Sequence, residues 1–137
     1  MKKDNCIFCK IAAGEIPSRT LYEDEQFRVI LDLGPASKGH ALILPKDHYA
    51  NLYELPEELA GSVMKLAKRM ASVMTEKLKC DGFNLVQNNG EVAGQTVFHF
   101  HMHLIPCYKE NGRVIEWETQ SMTPEEMDEI KNIITGE

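Results

Sequence analysis

At 137 residues with a formal net charge of −6, the chain has the size of one domain, residues 1–137, able to bury about two-thirds of its unfolded surface without staples. A hydrophobic content of 43% beside 26% charged residues is ordinary for a globular protein, and the acidic balance excludes broad electrostatic binding to nucleic acid while leaving room for a local pocket for a small phosphorylated ligand. The opening Met-Lys-Lys-Asp-Asn-Cys has no apolar run of the signal-peptide kind, and no stretch nears the roughly 20 apolar residues of a membrane span, so no membrane association and a cytoplasmic location are expected.

In chain order, Cys6 to Ala13 reads as a short helix with Ile7, Phe8 and Ile11 on its apolar side, closed by Gly14. Two strands follow, Arg19 to Glu23 and Gln26 to Asp32, joined by Asp24-Glu25 as a hairpin. The loop from Gly34 to Gly39 leads into the short apolar run His40 to Pro45, a third strand. From about Pro56 to Lys79, apolar residues recur at spacings of three and four with lysines and arginine between them, which predicts the main helix. Gly82 to Gln87 is a further strand. It is joined through the polar segment Asn88 to Gln95 to a last strand containing the run from Thr96 to Ile105. Thr123-Pro124-Glu125-Glu126 combines an N-cap, proline at the first helical position and a capping-box glutamate, opening a C-terminal helix to about Ile134. Together these elements predict an α+β domain: an antiparallel sheet of about five strands, one long central helix, and short helices at either end.

The run Thr96 to Ile105 carries His99, His101 and His103, three of the chain's five histidines, at every second position. On a strand that period puts three imidazoles on one face and sends Phe98, Phe100, Met102 and Leu104 to the other. Strand neighbours two apart are separated by about 6.5–7 Å, so three such rings cannot all ligate one ion. The row must be divided, either between a metal and other chemistry, or between a nucleophile and its phosphate contacts. A neutral imidazole is a competent nucleophile or base at neutral pH and can carry a covalent phosphoryl or nucleotidyl group. Gly94-Gln95-Thr96, directly before the row, offers amides and a hydroxyl that suit a phosphate. Of the four cysteines, Cys80 and Cys107 read as plain thiols, whereas Cys6-x-x-Cys9 has the spacing of a zinc half-site or a redox pair. A redox pair of the thioredoxin kind needs a βαβ context, and none is evident.

His99-Phe100-His101-Met102-His103-Leu104-Ile105 matches the pattern His-φ-His-φ-His-φ-φ, and the chain resembles the Hint-like branch of the histidine triad (HIT) family of nucleotidyl hydrolases and transferases, in its zinc-binding, bacterial-type subset. The resemblance runs from Cys6-Ile7-Phe8 through Asp32, Gly39-His40, Pro45-Lys46 and Gly94-Gln95-Thr96 to the triad. It implies a HIT-like fold, a homodimer, and a purine nucleotide or nucleotide conjugate as substrate, cleaved at the α-phosphate of a nucleoside phosphoramidate or related adenylated compound. His101 would be the nucleophile, His103 a contact to phosphate or leaving group, and His40 their support. Asn88, Gln95 and Thr96 would hold the phosphate, Asp32 the ribose hydroxyls, and Ile7, Phe8, Ile11, Leu31 and Leu33 the base. Histidine at the third triad position, where the uridylyltransferase-like branch usually has glutamine, points to hydrolysis over transfer. The resemblance also implies a structural zinc ion on Cys6, Cys9, His48 and His99. Two other classes of function stay open: a metal-dependent hydrolase that activates water on the histidine row, and a nucleotide-binding regulatory module with little turnover.

Overall fold

The computed structural model describes residues 2–136. Helix α1 (Ile7–Ala12) is followed by strands β1 (Thr20–Glu23), β2 (Phe27–Leu31) and β3 (Ala41–Pro45), helix α2 (Glu57–Leu78), strands β4 (Gly82–Val86) and β5 (Met102–Cys107), and helix α3 (Pro124–Thr135). The strands form one sheet in the order β1-β2-β3-β5-β4, antiparallel at every pairing. This is the α+β, five-stranded arrangement expected from the sequence, with the β1–β2 hairpin in place and β4 paired antiparallel to β5.

The register sorts side chains onto two faces, because residues directly opposite each other share a face. Leu31, Ala41 and Leu104 stand in one row, as do Val29, Ile43 and Met102. These rows meet the apolar stripe of α2, where Val63, Leu66, Ala67, Met70 and Met74 are buried with Phe27 and Phe100 in the main core. The other face carries Ile30, Leu42 and Leu44, which pack with Ala12, Phe8 and Ile11 of α1. His103 pairs with Leu42 and with Val86, so the histidine side of the sheet is the α1 side.

The helix ends follow their local chemistry. Thr123 and Glu126 form a reciprocal capping box at α3. Lys79 closes α2 in the left-handed region at φ 59°, a position that glycine usually fills. Among the described residues no helix is long and apolar enough to cross a membrane.

One expected element differs. The last strand begins at Met102, not at Thr96, and only Met102, His103 and Leu104 pair with β3. Residues 97–101 are held instead by individual bonds, such as Phe100 N–H to the Tyr49 carbonyl at 2.6 Å. Without a ladder the strict alternation lapses at its upstream end: Phe100, Met102 and Leu104 pack in the α2 core, but Phe98 is 48% exposed.

Candidate active site and metal centre

All five histidines of the chain lie in one connected group. Adjacent rings follow one another at centroid separations of 5.1 Å for His48–His99, 5.0 Å for His101–His103 and 5.1 Å for His103–His40. Phe8 of α1 bridges the gap in the row, its ring edge-on at 6.1 Å from His99 and 5.0 Å from His101. Burial is the largest influence on every one of them, favouring the neutral ring: His40, His48 and His101 are pushed below their ordinary value, and His99 and His103 down to about 4. The site therefore holds uncharged imidazoles at neutral pH.

At one end, Cys6, Cys9, His48 and His99 place one ligand atom each within 4.8 Å of one another. Cys6 caps α1, its sulfur accepting from the Cys9 amide, so the first turn of the helix sets the Cys-x-x-Cys geometry. Nδ1 of His99 is 3.4 Å from Cys6 Sγ and 3.5 Å from Cys9 Sγ, and His48 Nδ1 is 3.4 Å from Cys9 Sγ. With zinc–sulfur bonds of about 2.3 Å and zinc–nitrogen bonds of about 2.0–2.1 Å, a tetrahedron has sulfur–nitrogen edges of about 3.5 Å. The four residues thus fit a closed Cys2His2 zinc centre. His99 is fully buried and its Nε2–H donates to the Pro45 carbonyl at 2.8 Å, which leaves Nδ1 unprotonated and aimed at the sulfurs. Burial pushes the Cys9 thiol up.

In the middle of the row, His101 Nδ1 lies 2.8 Å from the His99 carbonyl. A carbonyl oxygen only accepts, so Nδ1 holds the ring proton and Nε2 keeps its lone pair. A neutral, oriented imidazole with a bare Nε2 is what nucleophilic attack on phosphorus needs.

At the far end, His103 Nδ1 is 2.9 Å from His40 Nε2, and Asp32 Oδ2 is 3.5 Å from the same nitrogen. The other Asp32 oxygen accepts from the Gly34 amide at 2.8 Å. The loop from Gly34 to Gly39 is fastened to β5 by Ser37 Oγ–H to the Pro106 carbonyl at 2.5 Å, and beyond it by Tyr108 O–H to the Lys38 carbonyl at 2.9 Å. The sequence marks this loop but assigns it no part in the site. Its one signal is the turn chemistry of Gly34-Pro35-Ala36-Ser37 directly before a histidine.

The remaining expected site residues divide. Phe8 stands against His99 and His101, and Ile11 packs on the same face of the sheet. Ile7 and Thr96 line a cleft beside the cysteine–histidine cluster together with Val97 and Phe98. Asn88 is half-buried, its amide 3.4 Å from where a side chain on Gly94 would begin. Leu31 is displaced from its expected place, since its register puts it on the α2 side, where it packs on the main core and away from the histidines. Leu33 stands 89% exposed, beyond the end of β2. Gln95 is only 1% exposed, and its amide is used within the protein. Its Oε1 accepts from the Gly90 amide at 2.9 Å, while Nε2 donates to the Ala50 and Val97 carbonyls at 2.7 and 3.1 Å. In this arrangement Gln95 braces the segment leading to His99.

The geometry accords with comparison to known proteins. A family model described as the HIT domain matches residues 13–110. The Bacillus subtilis protein named Protein hit is 43% identical over 134 residues, covering 96% of this chain and 92% of its own. The Saccharomyces cerevisiae protein named adenosine 5'-monophosphoramidase HNT1 is 46% identical over 116 residues, covering 84% of this chain and 71% of its own. Among solved structures, a zinc-bound histidine triad family protein from Mycobacterium smegmatis superposes with a TM-score of 0.75 at 33% identity, covering 97% of this chain and 98% of that one.

Proposed function

The chain belongs to the HIT family, and from that premise we propose that it is a hydrolase of nucleoside phosphoramidates or related adenylated compounds, working through a covalent nucleotidyl-histidine. The observation that carries the reading is His101, whose Nδ1–H is committed to the His99 carbonyl and whose Nε2 is left bare in a neutral ring. A yeast relative named as an adenosine monophosphoramidase supports the substrate class.

In the first half-reaction, His101 Nε2 attacks the α-phosphorus, a phosphorus–nitrogen bond forms, and the leaving group departs with the electron pair of its bond to phosphorus. In the second, water attacks the same phosphorus and gives up one proton to solvent, the phosphorus–nitrogen bond breaks, and its pair returns to Nε2. His103 stands next to His101, placed to contact a phosphate oxygen or the departing atom, and His40 supports it. Asp32 has carboxylate lone pairs beyond those used by Gly34 and His40, which suit ribose hydroxyls. Ile7, Phe8 and Ile11 of α1 supply apolar surface for a base. Thr96, Asn88 and the backbone around them remain as phosphate contacts, with Gln95 acting through the loop it braces.

Cys6, Cys9, His48 and His99 would hold a zinc ion that ties α1 to the sheet, a structural role that leaves the substrate to the other histidines. The exposed edge of β4, with Leu85 turned outward, and the apolar residues of α3 support a homodimer. The four free cysteines suit a reducing, cytoplasmic setting.

The test is hydrolysis of adenosine phosphoramidate by the zinc-loaded protein and by His101→Ala. The expected result is loss of at least about 1,000-fold in turnover in the variant with adenosine monophosphate binding kept. A variant as active as the parent, or a parent inert toward phosphoramidates, dinucleoside polyphosphates and adenylyl sulfate alike, overturns the proposal.

A further inference from the structure

Asp32, His40 and His103 bring a carboxylate oxygen and two ring nitrogens within 4.8 Å of one another, a grouping that could be taken for a second metal site. Counting protons leads elsewhere. His40 Nδ1 lies 2.9 Å from the backbone N–H of Ala36. An amide N–H only donates, so Nδ1 is an acceptor, and the single proton of the neutral ring sits on Nε2. That N–H points at His103 Nδ1, 2.9 Å away, with the Asp32 carboxylate at 3.5 Å favouring a proton at the same nitrogen. His103 Nδ1 is in turn an acceptor, and its own proton is on Nε2.

We infer that the backbone amide of Ala36 acts, through His40, as a positioning group that makes His103 a fixed hydrogen-bond donor toward the substrate and not a proton donor. The inference rests on the hydrolase reading for its substrate, but not for its tautomers. For His103 to give up its Nε2 proton it must take another at Nδ1, where its hydrogen-bonded partner among the described residues is His40. His40 is not resupplied through its far nitrogen, which faces an amide that never releases its proton, and the other group at its Nε2, the Asp32 carboxylate, accepts and does not donate. The wire is capped. Burial, with His101 and His40 alongside, already keeps His103 uncharged down to about pH 4. Nor can the group hold a metal with these atoms, since His40 Nε2 is protonated for as long as Ala36 occupies Nδ1.

The consequence is a substrate class. Such a site stabilises charge on the phosphate and the departing atom without neutralising it by proton transfer from His103. It favours leaving groups that depart as weak bases, such as sulfate, carboxylate or phosphate, and amines already protonated on the phosphorus-bound nitrogen. Strongly basic leaving groups, alkoxides above all, are disfavoured.

The full-length, zinc-loaded chain labelled with nitrogen-15 in histidine tests this by long-range proton–nitrogen correlation near pH 7. Both His40 and His103 are expected as neutral rings protonated on Nε2. His103 protonated on Nδ1, a doubly protonated His103, or uptake of a second equivalent of zinc lost in His40→Ala would each overturn the inference. Ala36→Pro removes the amide proton at an exposed position and should lower the tautomer ratio at His40 about fivefold, the worth of one hydrogen bond. An unchanged ratio overturns the part given to Ala36, and the parent spectrum decides the tautomers even where the variant does not fold. Across adenylates of graded leaving-group basicity, turnover should fall steeply as basicity rises, and a flat series overturns the donor role. Hydrolysis of none of them, with the expected spectrum, would sink the hydrolase reading and leave the tautomer assignment standing.

Discussion

Replacing Gln95 by alanine separates two roles for a residue whose sequence context suggests a phosphate ligand. The side chain makes three hydrogen bonds, to the Gly90 amide and to the Ala50 and Val97 carbonyls, from a position 1% exposed. Its partners are half-buried, so water can reach part of what the truncation leaves. Taking about 1 kcal/mol for each bond, Gln95→Ala should destabilise the protein by about 3 kcal/mol. For a domain of this size that is a fall in Tm of about 10 °C. Urea unfolding of the zinc-loaded protein gives the free energy, and calorimetric titration with adenosine monophosphate gives the affinity of the folded form. If the amide braces the loop, stability falls as stated and affinity stays within about threefold, under 1 kcal/mol. Stability within about 1 kcal/mol of the parent, with affinity down more than about tenfold, would put the amide on the phosphate and refute the argument from burial.

Three further outcomes are expected. Gly39 has φ +92°, and a Cβ there would begin 2.5 Å from Leu78 Cδ1. The leucine can turn aside but the backbone strain cannot be relieved, so Gly39→Ala should cost about 1–3 kcal/mol, read from urea midpoints, with a lower turnover because His40 follows directly. His103 is uncharged in the fold to about pH 4 against 6.5 for the ordinary group, so the unfolded chain binds more protons between those values. Its contribution to stability is complete above about pH 6.5 and is lost as pH falls toward 4. Unfolding at a series of pH values should show the parent losing more stability across that window than His103→Gln, and parallel curves would contradict the assignment. Removing metal with a chelator should lower stability by about 4 kcal/mol relative to protein at free zinc about 1,000-fold above its Kd, while the fraction still folded keeps hydrolytic activity. Loss of turnover in a folded, metal-free protein would place the metal in the chemistry.

The sheet, the long helix and the capping box of α3 were legible because each rests on local signals: alternation, a period of three to four, and Thr123 with Glu126. The grouping of Cys6, Cys9, His48 and His99 was legible through the family resemblance. What escaped was tertiary. Nothing local says that pairing with β3 starts at Met102, so Phe98 was assigned to the core by a period that no ladder enforces there. Leu31 follows its strand onto the α2 face, a matter of register with β3. Gln95 and Ala36 act through partners 45 and four residues away, one of them by its backbone alone, and a backbone amide has no residue type for a sequence to display.

Residue 99 serves two neighbours with different parts of itself: its side chain faces the sulfurs, and its carbonyl holds the proton of His101. Every amino acid carries that carbonyl. In evolutionary terms the cysteine–histidine cluster is therefore detachable, because a chain that loses the cysteines and changes the ring at 99 keeps the carbonyl that orients His101. On the proposed assignment, a metal gained or lost as a stability device would leave the orientation of His101 under the control of the main chain.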